Sequence, residues 1–180
     1  TMPCIGGRRP DGADLGPDVD ERAYFAGLAA LEAASVVAFL DLAEALDAHG
    51  APRSLVERAL RSAGEEIRHA KLAALLARAR NERPSIVEIR PTETPDLEAL
   101  AIDNAREGMV REAFGALVAL QQAKHAEDAD VRDAMKRIAR DELAHARLAR
   151  DIDAWATGRL GARERRRVVE ARDMARAVVV

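Results

Sequence analysis

The residues whose types and spacing could do chemistry form one short pattern that occurs twice. Glu66-Ile67-Arg68-His69-Ala70 in the first half is echoed by Glu142-Leu143-Ala144-His145-Ala146 in the second. Each is a Glu-x-x-His at helical spacing, so carboxylate and imidazole project from neighbouring turns of one helix face. Two of the four histidines lie in these repeats. Oxygen and nitrogen donors of this kind suit iron or manganese; zinc would also bind but would bring no redox activity.

Four helices must position such a site, and the apolar period supplies them. From Asp20 to about Ala48, the residues Phe25, Leu28, Glu32, Ser35, Phe39, Leu42 and Leu46 repeat in steps of three and four, a heptad seam that carries Glu32 inward. His49-Gly50-Ala51-Pro52 ends this helix and opens the next. The second helix runs to about Arg80 with Leu55, Ala59, Ser62, Glu66, His69, Ala73 and Leu76 on its seam. Its phase places Glu65 and Arg68 on the outer side. Asn81 to Pro95, with three prolines around a β-like run at Ile86 to Ile89, reads as an extended crossover. The third helix spans Asp96 to about His125, with Ala101, Ala105, Gly108, Glu112, Gly115 and Ala119 inward. The fourth reaches about Ala156 and turns Val131, Met135, Ile138, Glu142, His145, Ala149 and Ile152 inward, with Arg140 and Asp141 outward.

Counting residues to the turns places the four carboxylates at matched heights. Glu32 lies about 17 residues before the first turn and Glu66 about 15 after it, both roughly 22 to 25 Å away at ~1.5 Å per residue. Glu112 and Glu142 are likewise level about the second turn. The two halves repeat as Glu…Glu-x-x-His, with internal spacings of 34 and 30 residues. A crossover along the whole bundle must reach on the order of 40 Å, which about 14 extended residues only just achieve. A simple up-down-up-down bundle is the alternative; the long crossover is the expectation.

Four carboxylates on apolar seams cannot stay unpaired, because burying bare charge costs many kcal/mol. The basic residues of these helices fall on the outer faces. Two divalent cations would balance the four glutamates with neutral histidines, and a glutamate from each of two helices plus two Glu-x-x-His pairs is a di-metal constellation. The alternative is a metal-free core of satisfied polar groups.

In these residues the chain resembles the ferritin-like superfamily, and it is similar to bacterioferritins and rubrerythrins. The likeness rests on Glu65 to Ala70 and Asp141 to Ala146 and covers residues 20 to 156. It implies an all-α, ferritin-like four-helix bundle with a long crossover between helices 2 and 3 and a C-terminal fifth helix. It also implies terminal carboxylates at Glu32 and Glu112, bridging ones at Glu66 and Glu142, and one metal capped by each of His69 and His145. Such sites commonly hold iron, sometimes manganese, and react with dioxygen or peroxide. Haem is not expected, since the methionine that binds it in bacterioferritins is replaced by Ile67. A rubredoxin-like iron domain is not expected either, because Cys4 is the single cysteine.

The expected function is therefore a non-haem di-metal oxidoreductase acting on dioxygen or peroxide, with a small-molecule substrate as a further candidate and an external electron donor. A ferroxidase of an iron-storage assembly is the alternative, and a non-catalytic metal-binding helical module the second. Ser35, Gly108 and Gly115 are small positions near the carboxylates, which could leave a void where an oxidant enters or simply let helices pack closely. Tyr24, two turns from Glu32, is a candidate redox relay. Trp155, His49 and His125 read as packing or turn residues.

The remaining sequence sets limits. With 180 residues the chain is long enough for one domain with a real core. Aromatics at 3% and charge at 33% favour helix over sheet. A formal charge of −3 with interspersed signs gives no basic face for nucleic acid. No apolar run is expected to approach a membrane span. Residues 1–18 read as a flexible arm, 19–157 as the bundle and 158–180 as a helical tail packing on the bundle or on a partner subunit. Met2 reads as an initiator after Thr1. A cytoplasmic homo-oligomer, dimer or larger, is the expectation.

Overall fold

The computed structural model describes residues 8–10, 13–14, 23–83, 87–90 and 92–179. Among these the chain is helical apart from one two-residue ladder. Helix α1 (Tyr24–Ala48) pairs with α2 (Arg53–Ala79). Between them Gly50 takes φ 66°, a left-handed conformation that glycine adopts without strain, and Pro52 starts α2. A third rod is built from α3 (Leu97–Asp103), a π-helical segment (Asn104–Glu112) and α4 (Ala113–His125), and it pairs with α5 (Ala129–Thr157). Asp96 caps α3 by accepting from the Ala99 amide, and Asp128 caps α5 in the same way from Asp130. The two hairpins meet through α2 and α5. Helix α6 (Ala162–Val179) folds back on α3 and the π segment, with Val168 buried against Ala101 and Ala105.

Every residue assigned to the four seams is buried. Two apolar clusters close the ends of the structure. Phe25, Leu28, Leu76 and Met135 belong to one, and Leu46, Leu55, Leu100 and Ile152 to the other. The polar belt lies between them.

Two hydrogen bonds fix the path of the connection between the hairpins. At one end of α1, the Ala26 amide donates to Glu82 Oε2 at 2.9 Å. At the other end, His49 Nε2–H donates to the Pro95 carbonyl at 2.8 Å. Glu82 and Pro95, at the two ends of this connection, therefore lie near opposite ends of α1, a helix about 37 Å long at ~1.5 Å per residue. Helix α2 and the third rod consequently run in the same direction, which an up-down-up-down order would not allow. Part of this crossover, Glu88–Ile89, pairs antiparallel with Ala13–Asp14 of the N-terminal arm.

Two expectations are corrected. Helix α1 is long and apolar enough to cross a membrane by length and composition, contrary to the reading that no run approaches a span. Most of that stretch is buried inside the fold, where an apolar surface all round is what a core helix needs. The third helix is also not uniformly α, because Asn104–Glu112 is wound with the wider π repeat. Such segments often mark functional positions, and this one ends on Glu112. Cys4, and most of the arm with it, lies outside the described residues.

Candidate metal centre

The structure brings Glu32, Glu66, His69, Glu112, Glu142 and His145 into one buried cluster. Helix α1 supplies Glu32, the π segment Glu112, and α2 and α5 one Glu-x-x-His each. Two sets of four donors form within it. Glu32, Glu66, His69 and Glu142 make one, and Glu66, Glu112, Glu142 and His145 the other, with donor atoms in each set within 4.8 Å of one another. Glu66 and Glu142 belong to both.

The spacing is near that of donors around a shared ion, with three of the six distances from Nδ1 inside the expected range and the other three up to 0.3 Å beyond it. His69 Nδ1 lies 3.7, 3.6 and 3.4 Å from oxygens of Glu32, Glu66 and Glu142. His145 Nδ1 lies 3.1, 3.4 and 3.5 Å from oxygens of Glu66, Glu112 and Glu142. Neighbouring donors around an ion with bonds of ~2.1 Å sit about 3.0 to 3.4 Å apart. Both Nδ1 atoms, both oxygens of Glu66, Glu112 and Glu142, and Oε2 of Glu32 are buried without a hydrogen-bond partner. Each such group ordinarily costs about 1–3 kcal/mol. Nine orphaned donor atoms converge on one volume, and they are groups that could hold cations.

Electrostatics in the metal-free fold follow from this crowding. Burial pushes the Glu112 carboxyl up to about 8, and the Glu142 charge adds to it. Burial, then Glu66, likewise raises Glu32 well above the ordinary range. Burial alone would lower the imidazoles, yet Glu142, Glu32 and Glu66 hold His69 up at about 12, and Glu112 with its neighbours raises His145. Burial also opposes ionisation of Glu66 and Glu142, but the groups around them prevail and both lie below the usual carboxylate range.

The outer nitrogens of the histidines reveal two residues that sequence reasoning placed outside. His145 Nε2 lies 2.9 Å from Glu65 Oε2, and His69 Nε2 lies 3.4 Å from Asp141 Oδ2. A carboxylate only accepts, so each Nε2 keeps its proton, and each Nδ1, which faces the cluster, is the nitrogen that an ion could bind once its own proton is displaced. The pairing crosses over, because the acid preceding each shared glutamate supports the histidine of the other repeat. Glu65 and Asp141 sit one residue off the seam, on a flank that faces solvent in a lone helix. Where α2 and α5 meet, that flank is covered, and Asp141 is only 8% exposed. The signal was present in the sequence, since an acid precedes the glutamate in both repeats. Glu65→Gln with Asp141→Asn should weaken divalent-metal affinity about 10- to 100-fold, with the helical circular dichroism unchanged. Unchanged affinity would show that these acids do not orient the histidines.

No family model, curated protein or solved structure matches the chain. The reading of this centre therefore rests on its geometry.

The small positions are used in two ways. The Ser35 hydroxyl donates to the Arg8 carbonyl at 2.6 Å, and Gly108 is approached by the Arg8 guanidinium, so the arm fills the space there. On the Gly115 side, Tyr24, Leu28, Glu32, Gly115, Gln122 and Glu142 contribute to the walls of a recess of about 20 Å³. That is room for roughly one water-sized guest. Tyr24 borders it and receives a hydrogen bond from Gln122 Nε2 at 3.0 Å. Trp155 lies away from the cluster, with Arg159 over its ring. His49 braces the crossover, and His125 is exposed.

Proposed function

We propose that the chain is a ferritin-like four-helix protein whose centre holds two divalent metal ions, iron first and manganese second, as a non-haem oxidoreductase acting on dioxygen or peroxide. The observation that carries this reading is the pair of donor sets sharing Glu66 and Glu142. Iron or manganese there would supply redox chemistry that the side chains lack. Glu66 and Glu142 would bridge, Glu32 with His69 and Glu112 with His145 would complete the two sets, and Glu65 and Asp141 would fix the imidazoles. Held in both donor sets, Glu66 and Glu142 would be the residues to adjust to a change of charge there. The recess at Gly115 favours a small oxidant over an organic substrate, and Tyr24, which lines it, would be the candidate redox relay. Electrons would come from an external donor.

A ferroxidase is the second reading. It is favoured by α6, a fifth helix that leaves Val169, Met174 and Val178 exposed for contact with further copies. A cage-sized assembly holding many irons per chain would select it.

The deciding experiment is metal content per chain, on protein expressed with iron and manganese and without chelating tags, beside a Glu66→Ala/His145→Ala variant. About two redox-active ions per wild-type chain, lost in the variant, are expected. Absence of stoichiometric metal from the wild type would remove the reading.

A further inference from the structure

Arg8 is 2% exposed, although it lies in an arm whose sequence has no apolar period. It occupies the groove between α1 and the π segment, two elements that share little direct packing. Its guanidinium pairs with Asp103, at the residue before the π segment begins. Gly108, midway along that segment, lies beneath it. A Cβ there would stand 3.1 Å from Arg8 Nη1, and also 2.8 Å from Asn104 Oδ1 and 2.7 Å from the Ala149 side chain. The next residue continues the contact, with the Arg9 amide donating to Glu107 Oε2 at 3.1 Å. On its other side the guanidinium stands 5.8 Å from the centre of the Phe39 ring, which in turn lies 4.9 Å from the His145 ring.

We infer that Arg8 is a positioning residue for one of the two ions, the one bound by Glu112 and His145. It clamps the π segment that carries Glu112 and backs the aromatic ring packed on His145. The other donor set is tied to the arm differently. Glu32 is one turn from Ser35, whose hydroxyl donates to the Arg8 backbone carbonyl, and that carbonyl survives any side-chain substitution. Replacing the Arg8 side chain should therefore unbalance the centre rather than weaken it evenly. A buried arginine that served only general stability would affect both sets alike. The inference rests on the di-metal reading, and its test separates the two.

The test titrates cobalt(II) into the metal-free full chain and into Arg8→Met, Arg8→Lys and Asp103→Asn variants. The visible cobalt bands would give stoichiometry and affinity, and the hyperfine-shifted Nε2 protons would tell the two histidines apart. Wild type should take up two ions and show both signals. Arg8→Met should keep one ion at wild-type affinity with the His69 signal, while the second binds at least tenfold more weakly. Arg8→Lys should recover part of that loss. Asp103→Asn, at a half-buried position that leaves Arg8 in place, should show the same one-sided loss if Arg8→Met does not fold. Equal weakening of both ions, or of neither, overturns the inference while leaving the di-metal reading intact. No uptake by the wild type overturns that reading, and amide exchange then decides the clamp alone. Loss of protection over Asn104–Glu112 in Arg8→Met, with α2 unchanged, is the expected result, and unchanged exchange there overturns it.

Discussion

Glu66→Ala should cost the chain both metal ions, whereas Glu32→Ala should cost it one. The contrast follows from membership, since Glu66 contributes to both donor sets and Glu32 to one. Removing Glu66 also leaves His69 and His145 without a carboxylate that stands 3.6 and 3.1 Å from their Nδ1 atoms. Each ion would then lose a bond as well as part of its charge balance. The apparent affinity of each should fall by at least two orders of magnitude, on the scale of a lost buried charge partner of about 3–5 kcal/mol. Glu32→Ala should leave the set of Glu66, Glu112, Glu142 and His145 complete. Elemental analysis after dialysis against a weak chelator reads both outcomes. One ion retained in Glu66→Ala would mean that this carboxylate does not bridge.

Metal uptake should release protons, as many as four for two ions, and should strengthen as pH rises towards 8. In the metal-free fold, Glu112 at about 8 and His69 at about 12 hold protons at neutral pH, and Glu32 and His145 are shifted in the same direction. A raised pKa means that the proton competes with the cation, so the competition eases as pH rises. With two protons displaced per ion, the apparent affinity should climb up to about a hundredfold per pH unit below 8. Titration calorimetry in two buffers of different ionisation enthalpy counts the protons directly. Uptake independent of pH would place the ions elsewhere.

The four seams were legible because a heptad step repeats faithfully through each helix, and an acid on such a seam stands out against alanine and leucine. Counting residues to the turns was enough to make Glu32, Glu66, Glu112 and Glu142 level. The crossover was legible as a length, but its path depends on His49 and Glu82, whose hydrogen bonds have no sequence pattern. Glu65 and Asp141 were hidden because burial one residue off a seam is decided by the neighbouring helix. The π winding was hidden because Ala105, Gly108 and Glu112 are spaced as an α-helical seam would be, and nothing in that spacing marks a wider turn. Arg8 was the hardest to see. A charged residue among glycines and prolines reads as solvated, and only the folded groove shows where its guanidinium goes. Ser35 and Gly108, read either as leaving a void near the carboxylates or as letting helices pack closely, instead border the groove that Arg8 fills.

The shared carboxylates have a consequence for how the molecule could be taken apart. Each donor set draws three residues from one helical hairpin and one from the other, and Glu65 and Asp141 each reach across to the opposite histidine. Neither hairpin alone carries a finished set. If the chain is cut within the crossover, the two fragments each hold an incomplete coordination sphere, and the dications become the glue between them. Reassembly of such a split protein should depend on added metal and reverse with a chelator, turning an intramolecular centre into a switchable joint.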